Sequence, residues 1–414
     1  MTEIMTYIFL FIALYFEVFL LINYFELVDN ENKLEVGNGD KAKIAPDFFP
    51  SVSIIVPVWN EERTVSKTIF SLLNLDYPKD KLSILVVDDG STDNTWQVLQ
   101  GFAMDSRIKL LSKQNGGKHS ALNYALEFIN SDLVGCLDAD SYVSKNALLK
   151  ITPHFKEEEM MAVTPSIIVF EPKGILQMMQ KAEYMFGIFL RRVFSHLGAI
   201  YITPGPFSIF RRSVFNQIGE YRHAHNTEDM EIGMRMQKNG MKIGNAHDAY
   251  VYTSTPSSIR ALYKQRLRWV YGFIRNAFDY KDMFFKPQYG HLGVAILPAA
   301  GFSIVSTMYI FGSNIIDLGS SLFTKIKEIY TVGLYFGDLN LDLFYFDTSI
   351  ILFISLTTIL GTLYIIATSR KLAGEKGKFG LDSLLFIILY TIIAPFWMSR
   401  AIFNAVFARE TKWR

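Results

Sequence analysis

Cysteine is almost absent. Cys136 is the single one in 414 residues, which excludes an intrachain disulfide and any thiolate metal cluster. Charge of one sign is lacking too. Lys and Arg number 41 against 40 Asp and Glu, a formal net charge of +1, so there is no electrostatic case for a nucleic-acid partner. No Gly-x-Gly-x-x-Gly follows the first apolar strand and no Walker loop occurs, which removes the usual dinucleotide and P-loop readings. Apolar side chains are what the chain has in quantity. At 50% hydrophobic and 20% charged it is too apolar for an ordinary soluble enzyme and too polar for an all-membrane bundle. The 34 Phe and 21 Tyr suit a protein with membrane interfaces.

Tyr7 to Phe25 is an apolar run broken only by Glu17 and Asn23, long enough to cross a bilayer of ~30 Å. No basic stretch precedes it and no small-residue cleavage site follows, so it reads as a retained helix rather than a leader. Glu17 then faces other helices or is neutral. The chain divides into a membrane helix over 1–28, a polar linker over 29–50, a catalytic domain over 51–256, an interfacial segment over 257–290 and a membrane region over 291–414. In that last region Leu292–Ile316 and Thr348–Thr368 read as spans. The stretch from Leu384 past Pro395 to Phe407 is one span or a kinked hairpin. Arg370, Lys371, Lys376 and Lys378 crowd one loop, which by the positive-inside rule places it and the catalytic domain in the cytoplasm of a multi-pass cell-membrane protein. The side of Arg409, Lys412 and Arg414 stays open.

Between the membrane segments the texture alternates. Apolar strands are expected at 52–58, 82–87 and 108–111, with helices at 64–73 and 118–128. That pattern implies parallel βαβ units. Leu133–Asp140 reads as a short buried strand, with Cys136 as core and two carboxylates following it. Strand ends of this kind face the ligand crevice of an α/β sheet. Amphipathic helices over 173–199 and 257–280 either cover the sheet or lie in the membrane interface.

Acidic pairs recur at expected strand ends and loops: Asn60-Glu61-Glu62, Asp88-Asp89-Gly90-Ser91, Asp138-Ala139-Asp140 and Thr227-Glu228-Asp229. Gln265-Arg266-Leu267-Arg268-Trp269 follows on the second amphipathic helix. From Ser51 to Trp269 this series resembles the membrane-embedded, processive family-2 glycosyltransferases, the group of the cellulose, hyaluronan, chitin and poly-N-acetylglucosamine synthases. The Thr-Glu-Asp wording and the single N-terminal span bring it nearest to the poly-N-acetylglucosamine synthases. The resemblance implies a cytoplasmic GT-A domain, a Rossmann-like α/β fold with a mostly parallel sheet, flanked by transmembrane and interfacial helices.

It also implies an activity: transfer from a UDP-sugar, UDP-N-acetylglucosamine foremost, to the end of a growing polysaccharide, with inversion and passage through the bilayer. Addition of one sugar to a lipid carrier is the alternative, and a non-catalytic nucleotide-sugar-binding membrane protein a third. Pro57, Glu61 and Asp89 then surround the base. Lys118, at a helix start after Gly116-Gly117, and Arg268 hold the diphosphate. Asp138 and Asp140 hold the donor and one Mg2+ or Mn2+. Asp229 is the expected general base, with Glu228 as runner-up beside the acceptor. Gln265, Trp269, Gly205 and Pro206 are expected along the acceptor. His223 and His225, just before the acidic triplet, could line the site. With few spans in one chain, a polymer path calls for an accessory subunit, self-association or a tight single-file route.

Overall fold

The computed structural model describes residues 2–38, 48–333 and 350–407. Residues 39–47, the acids Asp338 and Asp342, and the tail with Arg409, Lys412 and Arg414 lie outside the described residues. In chain order the elements are α1 (Thr2–Asn38), β1 (Val52–Val58), α2 (Val65–Leu73), β2 (Leu82–Asp88), α3 (Thr95–Gln100), β3 (Ile108–Ser112), α4 (Lys118–Leu126), β4 (Leu133–Cys136), β5 (Ser141–Val143), α5 (Ala147–Ile151), β6 (Met160–Val169) and α6 (Ile175–His196). There follow β7 (Ile209–Arg211), α7 (Arg212–Ile218), α8 (Glu228–Lys238), β8 (Lys242–Thr253), α9 (Ile259–Asp279), α10 (Leu297–Val332), α11 (Ile350–Leu372), α12 (Leu381–Leu385) and α13 (Thr391–Val406).

One eight-stranded sheet has the order β3-β2-β1-β4-β7-β6-β8-β5. β3, β2, β1 and β4 run parallel to one another. Beyond β4 the sheet is mixed, with β7 antiparallel to both neighbours, β8 parallel to β6 and antiparallel to β5. β1 is buried along almost its whole length, as a strand covered on both faces must be, and its β-branched run follows from that. Alternation then sorts its side chains. Ile54 and Val56 join Ile69, Leu72 and Leu99 on one face, while Ile55 joins Leu85, Ala121 and Ile232 on the other. Cys136 is core, as expected.

Four helical stretches are long and apolar enough to cross a membrane: Ile4–Lys33, Leu292–Val332, Ile350–Leu372 and Leu381–Val406. The last settles the choice left by the sequence. It is one helical stretch carrying a π-turn at Phe386–Tyr390 and Pro395, features that bend a helix without ending it. The helix α1 continues ten residues past the expected span end, into what reads as linker by composition alone. Asp29 and Lys33 pair one turn apart at 2.5 Å, and Glu31 is anchored by Arg192 of α6. Glu17 is buried against α11 and accepts a 2.9 Å hydrogen bond from Thr362 Oγ1, which meets the expectation that it faces another helix.

Both amphipathic helices do two jobs. α6 packs on β6 and β8 and also on α1, α11 and α12. α9 lies along α13, with Tyr271 against Ala401 and Ala405. The α/β domain is thus seated directly on the apolar helices.

Candidate active site

β1, β2 and β4 end on one edge, since Pro57 is in register with Val87, Val58 with Asp88 and Ile55 with Cys136. Parallel strands in register deliver the residues after them to one crevice. The two loops there are laced together. The Glu61 amide donates to Thr95 Oγ1 at 2.9 Å, the Asn60 amide to Ser91 Oγ at 2.9 Å, and Thr64 Oγ1 to the Glu61 carboxylate at 2.7 Å. These bonds order the loop that carries Glu61 after the end of β1.

Asp89 has partners within the fold that the sequence does not show. Its carboxylate accepts from the Gly116 amide at 3.1 Å, the Gly117 amide at 2.8 Å and Lys113 Nζ at 2.8 Å. The amides expected to await a phosphate are thus turned onto a carboxylate of the fold itself. The sequence does not show this because the two loops are far apart in the chain. Its consequence is that Asp89 fixes the turn from which α4, and so Lys118, begins.

Lys118 is buried between two carboxylates, 2.7 Å from Asp138 Oδ1 and 3.0 Å from Glu228 Oε1. Burial opposes its charge, but Asp138 and Glu228 outweigh that and hold it well above its ordinary pKa. Gly205 makes the pair accessible to its loop. A Cβ there would stand 2.5 Å from Lys118 Nζ and 3.0 Å from Asp138 Oδ2, so any larger residue would push that pair aside. Asp140 lies two residues on, with Ser141 Oγ 3.2 Å from its Oδ1.

α8 brings the other acids. It starts at Glu228, with Thr227 at the N-cap position. The Thr227 hydroxyl does not cap the helix but donates to Ala224 O at 3.0 Å and accepts from Asn276 Nδ2 at 2.9 Å. Ala224, His225 and Asn226 all have positive φ, 42°, 56° and 63°, a costly run for non-glycine residues. It is held by α9, through Arg268 Nη1 donating to Asn226 O at 3.0 Å and Asn276 bonding Thr227. Gly272 permits that seating, since a Cβ would fall 2.4 Å from the Thr227 side chain.

Neighbouring carboxylates at the start of α8 are driven apart. Burial acts to raise Glu228, yet Lys118 and Arg268 pull it below its ordinary range. Asp229 is half-buried and pushed up to about 6, by burial first and by the Glu228 charge second, against the pull of Lys118 and Arg268. A carboxylate with a pKa near working pH is suited to proton transfer. A small cavity between Lys118, Cys136, Thr203, Gly205, Tyr221 and Asp229 joins these groups. A larger cavity of about 680 Å3 lies behind α8, lined by Arg222, Glu231 and Arg235, away from the strand ends. His223 and His225 both line that cavity, His225 with Nε2 2.9 Å from Asp279 Oδ2 and His223 with its ring centre 5.2 Å from that of His119.

The Gln265–Trp269 segment contains a residue that sequence reasoning passed over. Arg266 is buried, pairs with Glu183 of α6 at 2.5 Å, and lies 4.2 Å from the centre of the Trp269 ring. It also donates to Gln265 Oε1 at 2.7 Å. The sequence signal was a lone acid on an amphipathic helix facing a run of cations, legible only once α6 and α9 are known to touch.

A parallel crevice edge carrying paired carboxylates is thus joined to a mixed half that bears a carboxylate pushed up to about 6. Residues 53–219 match the family described as Glycosyl transferase family 2, and this stretch is a family-2 glycosyltransferase domain. The chain is 30% identical over 224 residues to a poly-beta-1,6-N-acetyl-D-glucosamine synthase of Staphylococcus epidermidis, covering 53% of this chain and 54% of that one. It is 29% identical over 247 residues to a beta-monoglucosyldiacylglycerol synthase of a Nostoc species, covering 58% and 53%. The chain thus spans about half the length of the curated relatives it matches. Among solved structures, a mannosyltransferase from Pyrobaculum calidifontis in complex with GDP-Man and Mn2+ aligns over 96% of this chain and all of its own, with TM-score 0.60 and 18% identity. That likeness is one of fold.

Proposed function

We propose that the protein is an inverting family-2 glycosyltransferase of the cell membrane, with its catalytic domain on the cytoplasmic side, that extends a polysaccharide from UDP-N-acetylglucosamine. The observation that carries the reading is the Asp229 carboxylate, pushed up to about 6 at the cavity shared with the Lys118–Glu228 pair. Asp229 takes the proton from the acceptor hydroxyl. The oxygen attacks the anomeric carbon from the face opposite the diphosphate, and the bond to the leaving phosphate oxygen breaks. An α-linked donor thereby gives a β-linked product.

Pro57, Glu61 and Asp89 surround the base, with Asp89 also ordering the turn before α4. Lys118 spends two of its three hydrogens on Asp138 and Glu228 and directs the third to the diphosphate. Arg268 adds a second cation. Gly205 and Pro206 bring their loop to the reacting end, and Gln265 and Trp269 flank the terminal sugar. Asp138 and Asp140 offer hard oxygen donors that fit Mg2+ or Mn2+, and among the described residues no group of three or more His, Cys, Asp or Glu converges. Diphosphate and water oxygens must then complete the shell, as Mg2+ sites commonly require. When bound, the cation neutralises charge on the leaving diphosphate.

A second reading, transfer of one sugar to a lipid-borne acceptor, is favoured by the Arg266 guanidinium that already lies on the Trp269 ring. Purified full chain, given UDP-N-acetylglucosamine, UDP-glucose, UDP-glucuronate or GDP-mannose with Mg2+, separates the two. Nucleotide release with UDP-N-acetylglucosamine and a ladder of long products is expected. Release with a product of one added sugar replaces the first reading by the second, and no release with any donor removes both.

A further inference from the structure

The cavity of about 680 Å3 behind α8 opens to solvent between α7, α8 and the end of α9. Its volume suits a ligand of sugar or nucleotide size, and the transfer chemistry at the strand ends uses none of the side chains that line it. Three cations and two carboxylates stand in its wall, and the carboxylates are already spent. Glu231 is buried, with one oxygen accepting from Arg235 Nη2 at 3.0 Å and the other from the Tyr280 hydroxyl at 2.7 Å. Asp279 takes His225 at 2.9 Å, and Lys238 pairs outside the cavity with Asp282 at 2.6 Å. Arg222 is the cation left over. Its side chain is 61% exposed, and its ionic contact among the described residues is a 3.5 Å approach to the Glu231 that two other donors already satisfy.

Beside Arg222 the backbone supplies further donors. His223 is right-handed, with φ −58° and ψ −37°, and Ala224 is left-handed, with φ 42°. That succession turns consecutive amides to one side and shapes an anion-binding concavity. The Asn226 and Thr227 amides close the turn on the His223 and Ala224 carbonyls, both at 3.0 Å, but among the described residues the amides of His223, Ala224 and His225 meet no acceptor. All three residues line the cavity and keep some exposure to solvent. An anion on those amides offsets the cost of a run of positive φ in residues other than glycine.

We propose that this cavity is an effector site for a small phosphate ester of sugar or nucleoside size, with its phosphate held by the 223–225 amides and the Arg222 guanidinium. A planar fork of donors beside converging amides matches phosphate oxygens, and the rest of the cavity has room for the esterified group. The turn leads directly into Glu228 and Asp229, and the His223 ring stands 5.2 Å from that of His119, the residue after Lys118. A ligand that fixes the turn therefore fixes the start of α8. The inference rests on the glycosyltransferase reading only for what α8 then does, and binding needs no sugar donor.

The test uses the full chain in detergent with glucose 6-phosphate as the probe, glucose and inorganic phosphate as comparisons, and saturating UDP present to occupy the strand-end crevice. Equilibrium dialysis reads binding, and hydrogen exchange of the peptide over 222–229 reads the turn. Glucose 6-phosphate is expected to bind at submillimolar concentration, about tenfold more tightly than inorganic phosphate, with no binding of glucose. Exchange over 222–229 slows about tenfold when it binds. Arg222→Gln weakens binding by about tenfold or more, Arg222→Lys keeps part of it, and Lys156→Gln, which removes an exposed cation on the turn after α5, leaves it intact. The proposal is overturned if glucose 6-phosphate does not bind at millimolar concentration, if glucose or inorganic phosphate binds as tightly, if Arg222→Gln keeps wild-type affinity, or if exchange over 222–229 does not change. Should Arg222→Gln fail to fold, the wild-type comparison and Arg222→Lys still decide. UDP release from a sugar donor, measured apart, reports on the transferase reading alone.

Discussion

The two halves of the sheet build the crevice by different means. In the parallel half, β1, β2 and β4 place Pro57, Asp89 and Asp138 by register alone, and the loops beyond them are fastened by hydrogen bonds between neighbours. In the mixed half nothing is delivered by register. α8 is set by a run of positive φ at 224–226, by α9 pressing Gly272 onto Thr227, and by Arg268 on the Asn226 carbonyl. One half is rigid because strands pair, the other because helices interlock. Lys118 spans the two, joined to Asp138 of the first and Glu228 of the second.

Breaking the chemistry of the mixed half should have the largest effect. Asp229→Asn is expected to lower turnover by about 10³-fold or more, within the range a general base commands, while UDP binding stays near wild type. Isothermal titration beside a UDP-release assay checks both. The same change should stabilise the fold near pH 8. Asp229 has its folded pKa raised from 3.8 to about 6, so its cost is fully present above pH 6 and relieved as pH falls toward 4. Removing the charge recovers about 1–2 kcal/mol, once partial exposure is allowed for. Thermal melts of the two proteins at pH 8 and pH 4 should differ at the first pH and nearly converge at the second.

Cutting the link between the halves comes next. Lys118→Met leaves Asp138 and Glu228 facing each other without a cation, and about 3–5 kcal/mol of stability is expected to go, measured by denaturant unfolding of the domain signal. Prising the halves apart by one methyl group is gentler. Gly272→Ala should cost about 1–3 kcal/mol by overpacking against Thr227. Its turnover should fall by about tenfold to a hundredfold through misplacement of Asp229, with UDP affinity preserved. Gly205→Ala should do the reverse, weakening UDP binding in titration calorimetry because its Cβ strikes the Lys118–Asp138 pair.

The same contrast explains what was legible in the sequence. Apolar runs with β-branched residues mark β1, β2 and β4, and acids placed directly after them mark the crevice, so Asp138 and Lys118 could be paired with a site before any coordinates. The helices α6 and α9 were legible as helices but not as neighbours, so the Glu183–Arg266 pair and its cover over Trp269 were not. Asp89 shows the limit from the other side. Its type and place suggest a ligand contact, and its hydrogen bonds to Gly116 and Gly117 add a role in holding the chain that the sequence does not show. The turn at 224–226 had no signal, because Ala, His and Asn adopt positive φ there only under the grip of α9.

The most direct test of the central claim is the pH dependence of kcat/KM for nucleotide release by the wild-type full chain. The account predicts a fall with unit slope below about pH 6, because Asp229 titrates there and must be unprotonated to accept the acceptor's proton. A profile that stays flat down to pH 4.5, in protein that remains folded, would contradict it.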